Sequence, residues 1–362
     1  MLFRSLPAKF VQRQFEFSER TVSGIEELKP RWKRGVDTIE GTVGELVGKM
    51  YVERHFKPEA KQRVDRLVNN LKDAFSSGID QLEWMSPQTR RRAHEKLAQF
   101  TTKIGYPDRW RDWSKLEIRR DDLVGNEMRA AALLFERGVN KLGGPIDRTE
   151  WLMTPQTVNA YYNPPQNEIV FPAAILQPPF FDVTVDDAIN YGAIGAVIGH
   201  EISHGFDDQG RRYDGKGNLN DWWAPADNDE FTRRAKEFGK QYDASSPLPG
   251  THVNSELTMG ENIADLAGVA MAYRAYKLSL DGKPAPVIDG YTGDQRFFIG
   301  WAQGWARKYR DDELRRRLLT DPHSPSEFRT NVIVANLPEF YAAFDVKPGD
   351  KMYRAPAERV KI

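Results

Sequence analysis

The chain has 362 residues, 40% of them apolar and 29% charged, with 52 Lys plus Arg balancing 52 Asp plus Glu. That length allows one or two domains with a substantial core. The zero balance lacks the electrostatic footprint of a nucleic-acid binder, no apolar run approaches the roughly 20 residues that span a bilayer, and with no cysteine there are no disulfides, thiolate ligands or cysteine nucleophile.

The opening stretch, Met1 to Phe10, has no apolar run followed by a small-residue cleavage site, so no signal peptide is expected there. From Lys57 to Leu82, apolar Val64, Leu67, Leu71, Phe75 and Ile79 recur at spacings of three and four, which predicts a helix with one buried stripe. Ser86-Pro87 reads as an N-cap followed by proline at the first helical position, opening a helix to about Ile104 that stops at Gly105. The texture changes at Pro155. Thr157 to Tyr162, the turn Asn163 to Asn167 and Glu168 to Phe171 read as strand, turn and strand, ended by Pro172. Helical patterns return over Asp186 to His204, over Glu261 to Leu280 with Asp281-Gly282 closing it, and over Asp294 to Arg310. Arg90-Arg91-Arg92 and Arg315-Arg316-Arg317 read as solvated faces. Gly192, Gly195 and Gly199 lack the spacing of a nucleotide-binding loop and read as close helix packing. Asp214 to Asn218 reads as a surface turn, since an EF-hand would need a glutamate where Pro225 stands.

His200-Glu201-Ile202-Ser203-His204 carries the strongest chemical signal. Two histidines at i and i+4 on a helix share a face, so both imidazoles reach one zinc ion while the glutamate between them points at a metal-bound water. Two helix-face histidines that merely cap or pack are the bland alternative. A catalytic zinc takes three protein ligands, and Glu261, 57 residues beyond His204 at the start of the next helix, is the candidate third. Asp265, one turn on, faces the same way and could orient His200. Read alone, those two residues fit as well a carboxylate favoured by the helix dipole and an ordinary surface aspartate.

Val158 to Tyr162, Asn167 to Ala173, Ile175 to Phe181, the zinc helix ending Gly205-Phe206-Asp207-Asp208, Gly260 to Asp265 and Asp321-Pro322-His323-Ser324-Pro325 together resemble the neprilysin family of zinc endopeptidases. Tyr51-Val52-Glu53, Trp84-Met85-Ser86 and Lys103 to Pro107 extend the match in order over nearly the whole chain. The resemblance implies an α+β, mainly α-helical fold: a thermolysin-like catalytic domain with a small antiparallel sheet over residues 111–362, and part of a second helical lobe over residues 1–110. It implies one Zn2+ per chain held by His200, His204 and Glu261, with Glu201 as general base and Asp265 as the partner of His200. Asn159 and Ala160 would bind the substrate backbone. That agrees with a hairpin edge to which an extended peptide can add as a strand, and asparagine is disfavoured in mid-strand unless it serves a purpose. His323 would stabilise the transition state, Arg329 would grip a substrate carbonyl, and Ile175, Phe180, Val197 and Trp305 would line the pocket for the residue after the scissile bond. The implied substrates are oligopeptides cut on the amino side of hydrophobic residues, with no nucleic-acid partner and no membrane segment in this chain.

Family members run to about twice this length, with an N-terminal helical region covering the cavity. A missing N-terminal lobe is therefore an expected partner. The alternative is a catalytically impaired zinc-binding fragment or peptide-binding module. Gly304 stands where members carry a bulkier residue and suggests a roomier pocket, no glycine stands near Val332, and the chain ends at Ile362 without the family's tryptophan. Because extracellular animal relatives rely on disulfides, the cysteine-free chain reads as bacterial, and the resemblance favours a periplasmic or secreted setting over a cytoplasmic one.

Overall fold

A computed structural model of the protein describes residues 7–362; Met1–Leu6, on which the reading of the leader partly rests, lie outside the described residues. Helix α1 (Ala8–Gln14) runs into a π-helical turn (Phe15–Thr21), followed by α2 (Arg31–His55) and α3 (Pro58–Asp80). The stripe of α3 is buried as its spacing predicts, with Val64, Leu67, Leu71, Phe75 and Ile79 in the core. Ser86 caps α4 (Pro87–Ala98): its hydroxyl accepts the Thr89 N–H, while its own N–H and hydroxyl donate to the Asp227 carboxylate at 2.9 and 2.5 Å.

The helix expected to reach Ile104 ends at Ala98, and Thr101–Gly105 form strand β1. Two threonines and an isoleucine in five residues suit a strand, and the pairing partner is distant. After α5 (Leu123–Val139), strands β2 (Tyr161–Asn163) and β3 (Glu168–Pro172) form the anticipated hairpin, with Asn167 at a φ of 48° in its turn. The sheet order is β1-β3-β2, parallel between β1 and β3 and antiparallel between β2 and β3. The sheet is thus mixed, not antiparallel as expected, because β1 pairs with β3 from the far side of α5. The first strand is also shorter than expected. Thr157 to Ala160 are unpaired, and a turn in which the Thr157 N–H donates to the Thr154 carbonyl holds the chain off the sheet.

The stretch Asp186 to His204 folds as α6 (Asp187–Asn190), a π-helical turn (Tyr191–Gly195) and α7 (Ala196–Ser203). Then come α8 (Pro225–Asp243), α9 (Ser255–Ser279), α10 (Gly293–Gly304), α11 (Asp311–Thr320), α12 (Ser326–Val334) and α13 (Pro338–Phe344). Helix α9 begins at Ser255, so Glu261 stands beyond its first turn, where the helix dipole has little hold. Helix α10 ends at Gly304, short of Arg310.

Helices α7 and α9 make the closest helix pair, and two glycines explain it. A Cβ on Gly199 would fall 2.5 Å from the Gly268 carbonyl oxygen, and one on Gly268 would fall 2.5 Å from the His200 nitrogen. Backbone therefore meets backbone with no side chain between, as the glycine series suggested. Helix α3 packs along α9 from another side. The apolar core runs through Leu71 and Phe75 of α3, Ile169 and Phe171 of β3, Ile194, Ile198 and Ile202 around α7, and Leu266 and Val269 of α9. Among the described residues no helix is long and apolar enough to cross a membrane.

Candidate active site

Two adjoining helices supply most of the site. His200 lies in α7 and His204 caps its end with the helical repeat still in force, which brings their Nε2 atoms to 2.9 Å from each other. Glu261 reaches across from α9, with Oε2 at 3.1 Å from His200 Nε2 and Oε1 at 3.7 Å from His204 Nε2. One ligand atom from each of the three lies within 4.8 Å of the others. The opposite nitrogen of each ring meets a carboxylate: His200 Nδ1 is 2.8 Å from Asp265 Oδ1, and His204 Nδ1 is 2.7 Å from Asp207 Oδ2. These contacts leave both Nε2 atoms turned inward.

Asp265 is fully buried, which rules out the surface-aspartate reading. It also takes both Nε and Nη2 of Arg329 at 2.7 Å, so one carboxylate fixes an imidazole and a guanidinium together. Arg329 in turn lies over the Trp305 ring, 3.9 Å from its centroid. His323 comes from the loop after α11. Its Nε2 sits 3.2 Å from Glu261 Oε2, and its Nδ1 is held 2.8 Å from Asp321 Oδ1, which also accepts the His323 backbone N–H. Ser324 next to it donates to Asn262 Oδ1 at 2.7 Å and ties this loop to α9.

The electrostatics are those of a cation site. Burial acts to lower the His200 imidazole, yet the carboxylates of Asp265 and Glu261 beside it outweigh burial and carry the pKa up to about 10. Burial works to raise the Glu261 carboxyl, but the imidazoles of His200 and His323 hold it well below the usual range. Burial lifts the Glu201 carboxyl, against the pull of the two histidines. Oε2 of Glu261 is buried and has no well-directed hydrogen bond, despite two imidazoles at ion-pair distance. Two inward imidazole nitrogens, an orphaned carboxylate oxygen and an excess of negative charge fit a divalent zinc. His200, His204 and Glu261 could hold it.

The remaining residues named from the sequence are distributed less evenly. Ala160 is buried and Asn159 exposed, both just ahead of β2 and not in mid-strand. Phe180, Val197 and Trp305 are half-buried against the core, whereas Ile175 is wholly inside it. A Cβ on Gly304 would come within 3.2 Å of the Phe180 ring, so Phe180 already occupies the space that the glycine leaves. Two site residues escaped sequence reasoning. Asp207 stands three positions after His204, the spacing that brings it under the ring, and Asp321 stands two before His323.

A helix bearing two histidines around a glutamate, with a carboxylate from a second helix, is the donor set of the zinc peptidases. The family profile described as Peptidase family M13 matches residues 159–360, and a second profile with the same description matches residues 2–107. Neprilysin-1 of Caenorhabditis elegans is 39% identical over 94% of this chain and 47% of its own length; the neutral endopeptidase of Lactococcus lactis is 37% identical over 95% and 53%. The crystal structure of the Mycobacterium tuberculosis zinc metalloprotease Zmp1 in complex with an inhibitor superimposes with a TM-score of 0.95 at 56% identity, covering 100% of this chain and 56% of that one. The chain belongs to peptidase family M13, the neprilysin family of zinc metallopeptidases. It spans about half the length of the curated relatives it matches.

Proposed function

We propose that the protein is a zinc-dependent endopeptidase that hydrolyses oligopeptides on the amino side of hydrophobic residues. The observation that carries this reading is the convergence of His200, His204 and Glu261 from two helices, with Glu201 buried beside them. When bound, a single zinc would supply the Lewis acidity that polarises a scissile carbonyl and acidifies water. Glu201 takes the proton from the attacking water and returns it to the departing amine. His323, kept in place by Asp321, donates to the oxyanion that forms at the carbonyl. Arg329 presents its remaining N–H groups to a substrate carbonyl while Asp265 holds its other edge. Asn159 and Ala160, in unpaired backbone before the edge strand β2, offer hydrogen bonds to an extended peptide. Phe180, Val197 and Trp305, half-buried, supply apolar surface for the side chain after the cut, with Ile175 in the core they pack against.

The relatives' greater length supports a covering N-terminal lobe as the partner of this chain. Exposed Trp32, Val36 and Met50 of α2 and Met128 and Phe135 of α5 are apolar surface suited to it.

Glu201→Gln is the direct test. Zinc content measured by mass spectrometry should equal that of the unaltered chain, while cleavage of a quenched fluorescent peptide falls about a thousandfold. A variant that keeps most of its activity sinks the assigned role. Stoichiometric zinc with no chelator-sensitive cleavage in the unaltered chain would favour a binding-only protein.

A further inference from the structure

Lys96 is a lysine at 1% exposure, lodged between α4 and the loop that follows α7. Its ammonium donates to three backbone carbonyls: Gly205 at 2.6 Å, Gly210 at 2.8 Å and Tyr213 at 2.7 Å. All three belong to the segment that leaves the histidine helix. The geometry is a tripod, three acceptors for the three N–H bonds of one ammonium. Phe206 and Tyr162 flank it, with ring centroids 5.6 and 5.8 Å away.

The same loop carries Asp207. Its Oδ1 accepts the backbone N–H groups of Gln209 and Gly210 at 2.9 and 2.7 Å, leaving Oδ2 for His204 Nδ1. The loop is so tight that a Cβ on Gly210 would fall 1.6 Å from the His204 carbonyl oxygen. Its inward N–H groups are thus satisfied by Asp207 and its inward carbonyls by Lys96. The Gly210 carbonyl also accepts the Tyr213 N–H at 3.0 Å and the Tyr213 carbonyl the Trp222 Nε1–H at 3.1 Å, but without the ammonium the Gly205 carbonyl would lose its donor and three carbonyl dipoles would converge on a buried point with no cation to hold them together. The loop would have to open, and the carboxylate beneath His204 would move with it. Lys96 also reaches the hairpin, since its own carbonyl accepts from Asn167 Nδ2 at 3.1 Å, and the same amide donates to the Gly215 carbonyl at 3.1 Å.

We infer that Lys96 is a positioning residue of the metal centre, its ammonium gathering the carbonyls of Gly205, Gly210 and Tyr213 so that Asp207 holds the His204 ring toward the metal. The inference rests on the zinc-peptidase reading. It assigns a part in the site to a side chain that supplies no ligand and comes from α4, in sequence far ahead of the histidines.

Lys96→Met in the full chain keeps the stem and removes the three donors. Zinc affinity is measured by competition with a chromogenic chelator at a temperature where circular dichroism shows the metal-free variant folded. The dissociation constant should rise about tenfold, as for loss of a partner that orients a ligand, and the visible absorption bands of the cobalt(II) form should shift as the His204 ring loses its orientation. A purely structural role would lower the melting temperature and leave both readings alone. Should Lys96→Met not fold, Lys96→Arg is read in the same way: it keeps the charge, but a planar guanidinium cannot meet three carbonyls set as a tripod, and zinc binding should weaken several-fold. A folded variant that binds zinc within twofold of the unaltered chain, with an unchanged cobalt spectrum, overturns the inference. Absence of zinc binding in the unaltered chain would instead overturn the zinc-peptidase reading.

Discussion

Asp265 joins His200 and Arg329 through a single buried carboxylate. Its two oxygens are shared between His200 and the Nε and Nη2 of Arg329, at zero exposure, so no water stands ready to replace a lost partner. Removing one member of a buried ion pair strands the other, at a cost of about 3–5 kcal/mol. Asp265→Asn should therefore lower unfolding stability by about that amount in urea titration and weaken zinc binding about 10- to 100-fold. Combining it with Arg329→Ala should cost far less than the sum of the two, because the first change has already broken the pair. At this scale the sequence was informative where spacing follows from helix geometry: His200 with His204, and Glu261 with Asp265. It said less where a side chain acts through contacts remote in sequence. Lys96, in a helix with Glu95 beside it and Arg92 one turn back, looks like part of a solvated face until the 205–213 loop closes around it.

The elements were legible to differing degrees, and pairing explains the differences. The stripe of α3 and the cap at Ser86 are local signals, legible in the sequence and present in the structure. From sequence alone β1 reads as the end of α4, because its partner, β3, lies beyond α5 in the chain. Alternation over Thr157 to Tyr162 overstates the strand before the hairpin turn, since it cannot reveal that only Tyr161 to Asn163 meet β3. The contact between α7 and α9 was foreshadowed by Gly199, but its partner, Gly268, was not. Gly268→Ala tests that contact. Alanine is the better helix former by about 1 kcal/mol, so on an open helix the change would stabilise. Here the added carbon would sit 2.5 Å from the His200 nitrogen and 2.9 Å from the Ala196 carbonyl oxygen, both backbone atoms that cannot swing away. Thermal unfolding should show a net loss of about 1–3 kcal/mol, with weaker zinc binding as the helices part. An unchanged melting temperature and zinc constant would mean that the two helices are not held at this distance.

For the whole molecule, the apolar side chains left outside are the most informative feature. Trp32 is 68% exposed and Phe135 73% exposed, on helices α2 and α5, which touch. Apolar surface so placed drives association when nothing covers it. Sedimentation velocity of the 362-residue chain should show self-association rising with concentration, and Trp32→Gln together with Phe135→Gln should reduce it; a monomer at all concentrations would speak against a sticky face. The layout of the proposed metal site has a separate consequence for folding. Two of the proposed donors come from the end of α7 and the third, Glu261, stands 57 residues beyond His204. A nascent α7 can offer zinc only two imidazoles, and the full set exists only once α9 has docked, after a long loop has closed. Acquisition of tight metal binding is thus a clock for one step of folding, the meeting of two glycines.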